Sequence, residues 1–132
     1  MRYWLDTTVL LRLVTKSPPE LFERALALVE RAEGGGISLA VHPLHVAEAT
    51  YVLHSVYAFT REEIRRELGI VLGLEALAVY DEDNVLAALD LVAERNVDFH
   101  DAYLTCWAAA RGEGVASFDR DYGRLPVPHL VP

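Results

Sequence analysis

The sequence predicts an α/β fold in which a parallel sheet is covered by helices on both faces. Short apolar runs alternate with longer segments of helical periodicity, and capping residues and glycines mark the ends of most of those helices. Strands that are separated by helices run parallel, because each helix returns the chain to the same end of the sheet. The length of 132 residues fits one domain, predicted to span 1–132.

The predicted strands are short apolar segments, and the helices lie between them. The strands cover residues 2–5, 37–41, 76–80 and 115–118, with an edge strand at 127–131. The helices cover residues 7–14, 17–33, 43 to about 57, 60 to about 73, 81 to about 96, and 98–111. Ser17 is the expected cap of the second helix, and Thr60 and Glu63 form a capping box at the fourth. Residues 119–123 are predicted to form a turn.

The composition limits the classes of function. With 12 basic and 20 acidic residues and a net charge of −8, the chain is unsuited to coating nucleic acid, since phosphate binding depends on Lys and Arg. An enzyme that meets phosphates through cations held by acids remains compatible with this charge. The single cysteine, Cys106, is predicted to lie on a buried helix face, which favours a reducing, cytoplasmic setting. We expect no signal peptide and no membrane span.

Two aspartates follow predicted strands directly. Asp6 comes after the first strand and Asp119 after the fourth, so both are expected at the edge of the sheet where parallel α/β proteins bind ligands. An aspartate after a strand also caps the next helix or turn, and for either residue alone this interpretation is equally good.

Three further acids lie on predicted helices. Glu48 has Leu44, Tyr51 and Val52 as its helical neighbours, a mostly apolar side on which a carboxylate needs a partner unless it reaches water at the face boundary. Asp98 and Asp101 occupy the cap and third position of the last helix, where capping explains both.

Taken together, the acids predict a cation site. Carboxylates from four separate segments would repel one another if they converged, and a shared cation removes that penalty. Ligation by oxygen alone favours Mg²⁺ or Mn²⁺, and such a site can hold a phosphodiester and activate water. The hydroxyls of Thr7, Thr8 and Ser117 flank the acids, where they either orient ligands or bond locally to the backbone. The scattered histidines, His100 among them, are expected to be ordinary surface or packed residues.

Four short motifs occur in the order found in PIN domains. They are Leu5-Asp6-Thr7-Thr8-Val9-Leu10-Leu11, Ala47-Glu48-Ala49, Asp98-Phe99-His100-Asp101-Ala102-Tyr103-Leu104 and Ala116-Ser117-Phe118-Asp119-Arg120-Asp121-Tyr122. On these motifs the chain resembles a PIN-domain ribonuclease of the VapC toxin type, from near the first residue to about residue 125. The resemblance implies a three-layer α/β/α sandwich with a parallel sheet of four to five strands.

The resemblance also implies a site and partners. The family's metal-binding acids fall on Asp6, Glu48, Asp101 and Asp119, an additional acid falls on Asp98, and a site hydroxyl falls on Ser117. It implies cleavage of RNA that depends on Mg²⁺ or Mn²⁺, a homodimer, and inhibition by a small antitoxin protein. Thr8 is a departure, because the family often has Asn there.

Two other functions fit parts of the sequence. A phosphohydrolase of the haloacid dehalogenase type also begins with an aspartate after its first strand, but it needs a second aspartate where this chain has Thr8. A catalytically silent PIN-like binding module would use the apolar helices at 43–57 and 60–74 for protein contact. For an RNase, two arginine clusters are candidates for holding RNA. They are Arg61, Arg65 and Arg66, and Arg111, Arg120 and Arg124.

Overall fold

The computed structural model describes residues 1–132 and has five β-strands and six α-helices. The strands are β1 (Arg2–Trp4), β2 (Ser38–Val41), β3 (Leu77–Val79), β4 (Val115–Ala116) and β5 (His129–Leu130). The helices are α1 (Thr7–Thr15), α2 (Pro19–Glu33), α3 (Pro43–Ser55), α4 (Arg61–Leu72), α5 (Glu82–Arg95) and α6 (Phe99–Ala110). A 3-10 helix covers Arg120–Arg124. The chain forms two compact units, unit 1 (Met1–Asp81) and unit 2 (Glu82–Pro132).

Unit 1 is built on a three-stranded parallel sheet in the order β1-β2-β3. Trp4 pairs with Ala40, and the next amide, that of Leu5, donates to the Ala40 carbonyl at 2.8 Å. Asp6 therefore comes immediately after the last paired residue of β1. Since the strands are parallel, this acid lies at the sheet edge formed by their carboxyl ends, as expected from the sequence.

The core of unit 1 joins the helices to this sheet. Helix α1 packs against α2, α3 and α4, and α2 also contacts β2. The largest fully buried side chains of the unit are Val29, Leu10, Leu39, Val41, Val46, Leu53, Ile64, Leu68 and Leu72. Burying each such aliphatic side chain stabilises the fold by about 1.5–3 kcal/mol. Their burial holds the start of α1, which carries Asp6, against α3.

Unit 2 consists of the helix pair α5 and α6 and the parallel strand pair β4 and β5. The amide of Val115 donates to the Pro128 carbonyl at 2.8 Å. A side chain at position 114 would bring its Cβ within 2.7 Å of that carbonyl oxygen, so only the glycine present there allows this approach. The pairing places Ser117 and Asp119 just beyond β4.

The predicted elements are all present, with ends shifted by a few residues. The α/β class is confirmed, and the five parallel strands are hydrogen-bonded as one set of three and one set of two. The capping box of Thr60 and Glu63 is also confirmed. The prediction that Ser17 caps α2 is wrong. Pro18 occupies the cap position, and no side chain caps this helix end, whose first residue, Pro19, has no N–H to satisfy.

Two smaller points concern the surface. None of the helices has both the length and the apolar character needed to cross a membrane. Cys106 forms no disulfide and is of intermediate burial, rather than fully buried as the sequence suggested.

Candidate metal centre

Asp6 is the N-cap residue of α1, and Thr8 holds its carboxylate. The Asp6 Oδ2 atom accepts hydrogen bonds from the Thr8 hydroxyl at 2.8 Å and from the Thr8 amide at 3.2 Å. These bonds, with the Thr8 hydroxyl first, lower the pKa of Asp6 below its usual value, because they stabilise the ionised form. The side chain is 64% exposed. Asp6 is thus a solvent-facing, ionised carboxylate fixed at the end of β1.

His45 approaches Asp6 from α3. Its Nδ1 atom lies 2.9 Å from the Thr7 hydroxyl and 3.9 Å from Asp6 Oδ1. Thr7 is buried, so its hydroxyl fixes the imidazole beside the acid and is not itself open to a ligand. Sequence reasoning did not assign His45 a role; the available signal was its position three residues before Glu48 on one helix.

Glu48 is exposed on α3. The helical neighbours Leu44 and Tyr51, which the sequence suggested would form an apolar surrounding, are themselves 73% and 72% exposed. The argument that Glu48 needs a partner because it is buried is therefore wrong, since its carboxylate reaches water. Glu48 follows His45 by three residues, so it projects from the same side of α3 as the imidazole that contacts the Asp6 region.

The start of α6 gathers three potential ligands. Asp98, His100 and Asp101 each offer one ligand atom, and these atoms all lie within 4.8 Å of one another. Asp98 is the N-cap residue of α6, and its side chain makes no capping hydrogen bond. Nε2 of His100 lies 3.4 Å from Oδ1 of Asp101.

Tyr122 orients the Asp101 carboxylate. Its hydroxyl donates to Asp101 Oδ1 at 2.8 Å, and the Tyr122 side chain is buried. Burial, the hydrogen bond to Asp101 and the negative charges of Asp101 and Asp119 raise the pKa of Tyr122 well above its usual value. The phenol therefore remains a proton donor at neutral pH. Nothing in the sequence signalled this contact between residues on separate elements.

Asp119 and Ser117 form a tight local turn. The Asp119 amide donates to the Ser117 hydroxyl at 2.9 Å, and Asp119 Oδ1 accepts from the Asp121 amide at 2.9 Å. The Ser117 hydroxyl thus bonds locally to the backbone, which is one of the two roles that the sequence predicted for it. The Asp119 side chain remains exposed, and its charge acts on Tyr122, which holds Asp101.

The predicted site residues are divided between the two units. Asp6, Thr7 and Glu48 belong to unit 1, whereas Asp98, Asp101, Ser117 and Asp119 belong to unit 2. Within unit 2, the structure brings together Asp98 and Asp101, and it adds His100 to them.

The donor set at the start of α6 fits a divalent cation. Donors that bind one ion at about 2.1 Å lie roughly 3–4 Å apart. The three ligand atoms of this cluster, all within 4.8 Å of one another, lie close to that spacing. Two carboxylates also provide the negative charge that a divalent cation requires.

Comparisons with known proteins identify the family. The crystal structure of VapBC2 from Rickettsia felis, bound to a DNA fragment from its promoter, aligns with 99% of this chain and 98% of its own, at 17% identity and a TM-score of 0.42. That score is too low for inference. No curated protein compared with the chain matches it significantly. The family model described as "PIN domain" matches residues 3–128, across both units, and PIN domains are generally nucleases that use divalent metals. The chain therefore belongs to the PIN-domain family.

Proposed function

We propose that the protein is a metal-dependent endoribonuclease and the toxin of a VapC-type toxin–antitoxin pair. The observation that carries the proposal is the cluster of Asp98, His100 and Asp101 at the start of α6, in a chain that belongs to a nuclease family. In this proposal Asp6, Glu48, Asp101 and Asp119 hold Mg²⁺ or Mn²⁺, and Asp98 adds a further oxygen. The proposal treats residues 1–132 as a single PIN-like domain.

The residues of the chain prepare the acids for this task. Thr8 lowers the pKa of Asp6, and the Tyr122 hydroxyl donates to one oxygen of Asp101. A bound divalent cation supplies a polarised phosphoryl oxygen and a water of lowered pKa. Because the chain carries a net charge of −8, the acids by themselves would repel an RNA phosphate. A cation held by these acids would offset part of that charge and permit the substrate to approach.

The arginines near Asp119 are the better candidates for binding RNA phosphates. On α4, Arg65 pairs with Glu62 at 2.8 Å and Arg66 pairs with Glu67 at 3.1 Å, as expected for a solvated helix face. In unit 2, Arg120 directly follows Asp119. Arg124 pairs with Asp121 at 3.6 Å, and the Arg111 guanidinium lies 3.4 Å from the centre of the Trp107 ring. We place the substrate-holding cluster there, together with Arg111, because Arg120 adjoins a proposed metal ligand.

The partners in this proposal are RNA, a second copy of the chain, and a small antitoxin protein, all in the cytoplasm. Support comes from the four PIN motifs, which resemble the VapC type. Helix α3 adds a surface for protein contact, because Leu44 and Tyr51 are 73% and 72% exposed and Val56, at its end, is 69% exposed.

Cleavage of labelled, structured RNA by purified protein, free of any co-purified partner, tests the proposal. The assay is run with Mg²⁺, Mn²⁺ or EDTA, on the wild type and on Asp6→Asn and Asp119→Asn. We expect metal-dependent cleavage that both variants lose. Glu75→Gln, which removes an exposed acid outside the candidate site, is the matched control and keeps activity.

Two results would count against the nuclease. Full cleavage by folded Asp6→Asn or Asp119→Asn contradicts the roles given to the acids. Absence of both cleavage and cation binding in a folded protein favours the other function, a catalytically silent module that acts by protein contact.

A further inference from the structure

His100 places an imidazole nitrogen inside the acidic cluster of α6. Its Nε2 atom lies 3.4 Å from Asp101 Oδ1, and its ligand atom lies within 4.8 Å of that of Asp98. The His100 side chain is 72% exposed, so packing in the core does not explain where the ring lies. The arrangement is local to the first turn of one helix.

We infer that His100 is a ligand of the same cation as Asp98 and Asp101, and that this centre selects Mn²⁺ over Mg²⁺ as a result. The inference rests on the proposed metal-dependent function and refines the identity of its cation. Mg²⁺ prefers oxygen ligands and holds its own waters. Mn²⁺ also favours oxygen, but as a first-row transition metal it accepts an imidazole more readily than Mg²⁺ does. One nitrogen added to the proposed carboxylate ligands thus favours Mn²⁺ over Mg²⁺ and has little effect on the affinity for Mg²⁺.

A simple ion pair is the competing explanation for the 3.4 Å approach of His100 to Asp101. The two explanations predict opposite effects when the imidazole is removed. An imidazolium paired with Asp101 competes with any cation, so its loss would strengthen the binding of Mn²⁺ and Mg²⁺ alike. If His100 is a ligand, removing it weakens the binding of Mn²⁺ and has little effect on the binding of Mg²⁺.

Calorimetric titration of the full chain with Mn²⁺ and, separately, Mg²⁺ distinguishes these outcomes. For His100→Gln we expect the Kd for Mn²⁺ to rise at least about tenfold, given that even second-shell partners of metal ligands contribute 10–100-fold. The Kd for Mg²⁺ is expected to stay at the wild-type value. His54→Gln, which removes another exposed histidine, is the matched control. Unchanged or tighter Mn²⁺ binding by His100→Gln overturns the inference.

Pulsed electron paramagnetic resonance of bound Mn²⁺ gives a direct readout that is independent of activity. We expect a ¹⁴N coupling from the imidazole in the wild type and in His54→Gln, and its loss in His100→Gln. A coupling that survives in His100→Gln assigns the nitrogen to another residue and overturns the inference.

The design also separates this inference from the proposed function. Asp101→Asn is expected to lose Mn²⁺ and Mg²⁺ together. A wild-type protein that binds both ions equally and shows no ¹⁴N coupling contradicts the role of His100 and leaves the nuclease intact. A wild-type protein that binds neither ion overturns both.

Discussion

The phenolic hydroxyl of Tyr122 donates a 2.8 Å hydrogen bond to Oδ1 of Asp101, which precedes it by 21 residues. The tyrosine is buried, whereas the Asp101 side chain is 26% exposed. A buried donor thus fixes a carboxylate that opens toward solvent, as expected of a partner of the proposed metal ligand Asp101.

Tyr122→Phe removes this donor and keeps the ring. We expect the affinity for Mn²⁺ to fall roughly 10–100-fold, as for other outer-shell partners, because Asp101 is no longer held in one orientation. The free energy of unfolding should fall by only about 1 kcal/mol, the net contribution of one hydrogen bond. Calorimetric metal titration and urea denaturation measure the two effects. Tyr51→Phe, at an exposed position, is the control, and an equal loss of affinity in both variants would contradict the assignment.

Thr8 controls the ionisation of Asp6. In Thr8→Val the hydroxyl donor is lost, so the pKa of Asp6 should rise toward its ordinary value of 3.8, whereas Thr8→Ser should keep it low. A carboxyl whose pKa is lowered by folding adds stability above its unfolded pKa and loses it as the pH falls through the folded pKa. Thr8→Val should therefore flatten the fall in stability below about pH 4. NMR titration of the carboxyl carbon and urea denaturation between pH 2 and 7 test this, and an identical Asp6 pKa in both variants would contradict it.

The capping box at the start of α4 should contribute measurably to stability. Thr60→Ala removes the hydroxyl that accepts from the Glu63 amide at 3.0 Å, and we expect it to cost about 1 kcal/mol. The pKa of Glu63, now lowered mainly by the Thr60 amide and then by the Thr60 hydroxyl, should rise part of the way to its usual value. Thr60→Ser keeps the oxygen and should be close to wild type in urea denaturation. An equal loss in both variants would mean that the methyl group of Thr60, not the cap, is responsible.

Two glycine substitutions should change stability in opposite directions. Gly114→Ala brings a Cβ within 2.7 Å of the Pro128 backbone oxygen and should destabilise the protein by about 1–3 kcal/mol, because β4 and β5 must move apart. Gly69→Ala lies inside α4 with no atom within 4 Å of the added Cβ, and should stabilise by roughly 0.5–1 kcal/mol. Thermal unfolding of the two variants beside the wild type checks both signs. Loss of stability in Gly69→Ala would contradict the open space around a Cβ at this position.

The predictions from sequence succeeded where the signal was local. The capping box of Thr60 and Glu63 needs only residues three apart, and Asp6 was placed by the strand that ends just before it. Ser17 shows that local signals also fail, because Pro18 takes the cap position and α2 begins at Pro19. Glu48 shows a second limit. Helical spacing reveals an apolar side of α3, but only packing determines whether another element covers that side.

The sequence alone determined the order of strands and helices, the family resemblance, and which acids follow a strand (Asp6 and Asp119) or begin a helix (Asp98 and Asp101). Capping, periodicity and motif spacing are properties of short segments, so they can be recognised without the fold. The tertiary structure determined which side chains contact those acids and their neighbours. The approach of Thr7 to His45 spans 38 residues and that of Tyr122 to Asp101 spans 21. Such contacts arise only when helices pack on strands, since no local rule specifies which side chains then meet.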